Sequence, residues 1–157
     1  MTKRRGYGLG DYRRDAAYLA GLGAAQVETV VEMAFWYLAN ITLTALQSLT
    51  TAVSINADSD FMCLWLIASS TGGFTLSWQD NATGRLFQNN PVNSANIFGT
   101  AQLPFPMLPP YTFQRQGSIG LTVTDTSNAG NTVQIVFAGK KIFPNLTAGA
   151  AGPVSSS

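Results

Sequence analysis

Histidine is absent from this 157-residue chain. Its absence removes Ser-His-Asp and Cys-His catalysis and every histidine-ligated metal site. Cysteine occurs once, as Cys63, so no internal disulfide can form and no cysteine-rich zinc site can be built. Cys63 lies in an apolar run and reads as a small core residue, which fits a reducing compartment. Charge is scarce: nine Lys and Arg against eight Asp and Glu, a net of +1. Such a balance argues against a dedicated nucleic-acid binder. No P-loop or dinucleotide fingerprint occurs, since Gly6-Tyr7-Gly8-Leu9-Gly10 follows no strand pattern. The apolar stretch 27–46 is interrupted by Glu28, Glu32 and Asn40, so no membrane span is expected. The basic N-terminus, Met1 to Gly6, lacks a following apolar region, so no secretory signal is expected. The glycosylation sequons at Asn40, Asn81 and Asn145 then read as chance matches. No acid/base pair can be argued, so neither an enzyme nor a cofactor is expected.

What the chain has is alternation. Ile119, Leu121 and Val123 alternate with Gly120, Thr122 and Thr124; Val133, Ile135 and Phe137 alternate with Thr132, Gln134 and Val136. A period of two puts each apolar set on one face of a strand. The segment 125–131 between them is rich in turn formers, so 118–143 reads as a β-hairpin. Two strands alone are marginal in water, so a second layer is required. Further strands are expected from about Met33 to Thr44, from Thr50 to Asn56, from Phe61 to Ala68, from Phe74 to Trp78 and at Arg85 to Phe87. The run 61–68 is continuously apolar and reads as a strand buried on both faces. Prolines at 104, 106, 109 and 110 disfavour a regular ladder. That segment reads as an extended crossover between sheets, pinned to the core by Phe105, Met107 and Leu108. About eight short strands predict an all-β fold, an antiparallel β-sandwich of jelly-roll type. A closed barrel is the alternative, and strand order is not legible.

Composition divides the chain into an N-terminal arm (1–24), a sandwich domain (25–143) and a low-complexity tail (144–157). The arm holds five of the nine basic residues, Lys3, Arg4, Arg5, Arg13 and Arg14, with Tyr7 and Tyr12 interleaved. It reads as a segment that orders on a partner, against the plainer alternative of a leader with no role. Asn56, Asp58 and Asp60 alternate as Ca²⁺ ligands could. However, Phe61 stands where an EF-hand loop needs Gly and the distal Glu is missing, so a turn with a solvated acidic edge is preferred. Asp58 and Asp60 as a glycosidase pair have nothing to place them across a cleft. Of three tryptophans, Trp65 is expected in the core. Trp78, beside a turn, is the best candidate for an exposed contact, together with Tyr111, with core or subunit packing preferred over a sugar platform.

A resemblance follows from the order of features. A turn "NADSDF" enters an apolar strand; "WQDNATGR" and "NNPV…IFG" follow; then come "LPFPMLPPYTF" and the closing "GLTVTDTSNAGNTVQIVFAGKKIF". Over residues 33–143 this resembles small β-sandwich structural proteins of tailed bacteriophages. The resemblance implies a non-enzymatic virion protein that forms homo-oligomers. It would be a capsid decoration (cement) protein on the major capsid protein, or a neck or collar component near the portal. A carbohydrate- or receptor-binding module is the alternative of a different class.

Overall fold

The structure, a computed structural model, describes residues 31–144. Nine strands follow in order: β1 (Val31–Leu43), β2 (Ser48–Ser54), β3 (Asp60–Ser70), β4 (Phe74–Asp80), β5 (Arg85–Leu86), β6 (Val92–Asn93), β7 (Phe105–Phe113), β8 (Ser118–Asp125) and β9 (Asn131–Phe143). A single 3-10 turn, Ser94–Asn96, lies between β6 and β7. Two antiparallel sheets form. Sheet A has the order β1-β9-β3-β7, and sheet B the order β2-β8-β4-β5, with β6 also on β4. Each long strand is followed along the chain by one in the other sheet. This is a jelly roll, and the all-β sandwich expectation holds.

The alternating apolar sets meet between the sheets. Val133, Ile135 and Phe137 of β9 face Ile119, Leu121 and Val123 of β8, all essentially without solvent exposure. Phe61, Phe74, Leu76 and Phe113 complete this centre. A side chain of this kind contributes about 1.5–3 kcal/mol on burial, so the core rests on period-two patterning.

Three expectations need correction. Segment 118–143 is not a hairpin: β8 lies in sheet B and β9 in sheet A, and 126–130 arches from one sheet to the other. The proline segment is not a crossover but the edge strand β7, paired with β3. An edge strand has one unpaired side, where proline's missing N–H costs no ladder bond. Of its expected anchors only Met107 packs on the core; Phe105 is 42% and Leu108 80% exposed. The run in β3 is not buried on both faces. Phe61, Cys63 and Leu66 point inward, while Trp65 is 41% exposed on the outer face. The second strand also starts two residues earlier than expected, at Ser48.

A β-bulge explains Trp65. The register of β3 against β9 shifts between Cys63 and Trp65, leaving Leu64 extra. One extra residue reverses which face every later side chain occupies. The bulge also presses the Met62 carbonyl onto Gly139, where a Cβ would lie only 1.9 Å from that oxygen.

Polar side chains tie the loops. Asn131 is 1% exposed and uses all its hydrogen-bonding capacity: Oδ1 accepts from Thr71 Oγ1 (3.2 Å) and Gly72 N–H (3.0 Å). Its Nδ2 donates to the Gly73 carbonyl (3.1 Å) and to Asp125 Oδ1 (2.9 Å). Asp125 also accepts from Leu46 N–H (2.9 Å) and Ser127 Oγ (2.8 Å). Burial pushes the Asp125 carboxyl up, but these hydrogen bonds outweigh it and hold the group below its ordinary value. Lys141 is buried beneath the Phe35 ring and donates to both oxygens of Asp58, at 2.9 and 3.0 Å. That bond is the main cause of a lowered Asp58 pKa. Asp58 is therefore the counter-ion of a buried lysine rather than a freely solvated edge. Cys63 is buried as expected, and burial pushes its thiol up to about 12.

Candidate functional site

The functional candidate is a surface, built by the register of sheet A. Even-numbered residues of β1 point outward. Trp36 pairs with Ala138, which pairs on its other side with Trp65, which in turn pairs with Pro106. The next row is Leu38, Val136 and Ile67. Two consecutive rows across the outer face are thus apolar. Trp36 is 55% and Leu38 48% exposed. On one side the band ends at Asn40, Gln134 and Ser69, where Gln134 Nε2 donates to Asn40 Oδ1 at 2.8 Å. On the other side it ends at the Glu32–Lys140 ion pair, 2.6 Å apart. Between the tryptophans and Lys140 runs a trough of about 450 Å³, floored by Ala138 and Gly139. An apolar centre inside a polar rim is the usual anatomy of a protein interface.

The outer face of sheet B is different in kind. Its outward positions are Ser48, Thr50, Ala52 and Ser54 on β2, Gly120, Thr122 and Thr124 on β8, and Thr75, Ser77 and Gln79 on β4. Thr50 and Thr122 share a hydrogen bond of 3.0 Å, and Thr124 donates to Ser48 at 2.9 Å. Short hydroxyl side chains that satisfy one another offer a partner little apolar area.

The expected contact residues are placed as follows. Lys3, Arg4, Arg5, Tyr7, Tyr12, Arg13 and Arg14 lie outside the described residues. Trp78 is not an exposed contact: it is 6% exposed and stacks on Phe87 with ring centroids 4.0 Å apart. Its phase with Phe74 and Leu76 carries it inward. Removing it would open the core, so loss of a ligand on Trp78→Ala would not report a sugar site. Tyr111 is half-buried on β7, with Arg85 over its ring at 5.3 Å. Its hydroxyl donates to Asp80 Oδ2 at 2.8 Å. Asp80 is buried at the end of β4 and also accepts from Ala82 N–H and Thr83 Oγ1. Tyr111 thus ties the edge of sheet A to sheet B, and its aromatic neighbours are Phe87 and Phe113. Tyr111→Phe is expected to lower stability by about 1.5–3 kcal/mol, a hydrogen bond to a charged group. The check is a lower urea midpoint at unchanged denaturant slope.

Beside Tyr111 opens an apolar groove of about 560 Å³ between β7 and the β5–β6 segment. Among the described residues no group of three or more acidic or cysteine side chains is placed to hold a metal ion. No helix of the described residues is long and apolar enough to cross a membrane. Sequence reasoning missed Trp36, Leu38, Trp65 and Ile67 as surface residues, whereas Val136 was already set opposite the inward set of its strand. Their signal was present: Phe35, Trp36, Tyr37 and Leu38 are apolar at both parities, so one parity had to face outward. Comparison of the chain with protein-family models, curated proteins and solved structures finds no match in any of the three.

Proposed function

We propose that this chain is a structural protein of a bacteriophage virion, acting by burial of surface rather than by turnover. The carrying observation is the apolar band on the outer face of sheet A, two rows deep and centred on Trp36 and Trp65. An apolar patch of this kind, rimmed by polar residues, is what assembly surfaces present. The jelly-roll order of strands is one used by capsid proteins, and the likeness to phage structural proteins points the same way. Within the virion, the preferred role is capsid decoration: the sandwich oligomerises, and the basic arm docks on the major capsid protein. A neck or collar position beside the portal is the second reading.

The arm supplies the docking test. Lys3, Arg4, Arg5, Arg13 and Arg14 would meet acidic surface on the partner, with Tyr7 and Tyr12 as anchors. Deletion of residues 1–20 should leave the circular dichroism and melting of the sandwich unchanged and abolish binding to phage particles. Sedimentation of both forms with undecorated particles checks this, and unchanged binding by the shortened chain would refute the arm's role. Binding to isolated necks but not to heads would move the assignment to the collar.

A further inference from the structure

The outer face of sheet A invites a more specific statement, which rests on the structural role proposed above and names the partner of that surface. We propose that it is a self-association surface, and that its occupant is the same face of a second copy of this chain.

Three observations favour a second copy. The first is shape. Trp36 on β1 and Trp65 on β3 stand as ridges on either side of β9, where Ala138 and Gly139 floor the trough. Strands lie about 4.8 Å apart, so the ridges are about 10 Å apart. A two-fold axis along the strands, between β9 and β3, carries Trp65 of each copy toward the trough of the other. Ridge and trough then match reciprocally, as an isologous contact requires.

The second observation is charge. The acids of this face are already paired, Glu32 with Lys140 and, at its margin, Asp60 with Arg115. Each pair is neutral as a unit, so two identical faces meet with no net charge on either.

The third is extent and chemistry. With two tryptophans, Leu38 and the half-buried Leu64, Ile67 and Val136, the band exposes on the order of 400 Å². A standard interface takes about 800 Å² from each partner. The band is thus the right size for the dry centre, with the Asn40–Gln134 and Glu32–Lys140 rows as its rim. On one side of the tryptophans the row Leu38, Val136 and Ile67 offers a sugar ring no hydrogen bond, and on the other Glu32 and Lys140 are engaged with each other.

The test uses the full chain alone, in analytical ultracentrifugation. The expected result is a discrete oligomer that Trp36→Lys weakens by roughly 30-fold or more, as loss of a central interface tryptophan does. Thr122→Lys, on the outer face of sheet B, should leave association unchanged. Melting curves establish that each variant is folded. Should Trp36→Lys fail to fold, Leu38→Lys and Trp65→Gln on the same face decide the matter. A wild-type monomer up to about 0.1 mM overturns the proposal, being above the range of specific interfaces of standard size. An oligomer indifferent to every sheet A variant overturns it equally. A monomer whose tryptophan fluorescence responds to soluble oligosaccharides overturns it in favour of a sugar platform. A monomer that still binds particles would refute this inference and leave the virion role standing. An oligomer that binds no particle would do the reverse.

Discussion

Gly139→Val is expected to prevent folding of the domain. The β-bulge at Leu64 brings the backbone of β3 against β9, and a Cβ on residue 139 would sit 1.9 Å from the Met62 carbonyl oxygen. The obstacle is backbone, with Met62 C at 2.9 Å and Cys63 Cα at 3.1 Å, so no side chain can swing aside. Relief requires parting β3 from β9, the longest contact of sheet A after β1 with β9. Core overpacking usually costs about 1–3 kcal/mol, and displacing backbone in a central strand exceeds that. A small domain has only about 5–15 kcal/mol to lose. The measurement is soluble yield together with urea unfolding. Gly130→Ala is the control, since a Cβ there meets nothing closer than 3.5 Å and should change stability little.

Asn131→Leu should be nearly as damaging, for a different reason. The asparagine amide answers four groups at once: Thr71 Oγ1, Gly72 N–H, the Gly73 carbonyl and Asp125 Oδ1. Leucine matches its bulk but answers none of them, and each group left buried without a partner costs about 1–3 kcal/mol. The expected loss is about 3–5 kcal/mol, read from thermal or urea unfolding. Asn131→Asp separates charge from shape. It sets a second carboxyl within hydrogen-bond distance of Asp125, so the pair resists full ionisation. In the wild type, Asp125 is held below its ordinary value. Its contribution is therefore complete above about pH 4, the unfolded pKa, and is lost as pH falls through the folded one. In Asn131→Asp one carboxyl is raised instead, so that variant should recover relative to wild type as pH falls from 7 toward 4. Parallel stability profiles for the two proteins would show that the site tolerates both charges.

The core of the fold was legible because period-two patterning is local. Ile119, Leu121, Val123, Val133, Ile135 and Phe137 are all interior, as their alternation required. Partnership was not legible, because a hairpin and an arch use the same alternation. Five residues from 126 to 130 can return beside a strand or cross the roughly 10 Å between sheets. The two misplaced tryptophans have separate causes. Trp78 keeps the phase of Phe74 and Leu76, and its nearness to a turn was the misleading cue. Trp65 changes phase at a bulge that leaves no mark in a run of consecutive apolar residues. The surface band could have been inferred from economy of layers. Strands 31–43 and 60–70 are apolar at both parities, yet no helix was expected to cover either sheet. One face of each therefore had to carry apolar side chains outside the sandwich core.

The place of β9 in sheet A bears on how the protein is made. It is the last described strand to be synthesised, yet it lies between β1 and β3 and pairs with both. Until it leaves the ribosome, β1 has no neighbour in its own sheet, and β3 has only β7. Leu43 waits for Asn131, a separation that makes closure slow. The nascent chain thus cannot complete its sandwich early, and a prematurely terminated product lacks the centre of the sheet that carries the apolar band. Copies that stop short of β9 are in this way kept from building that surface.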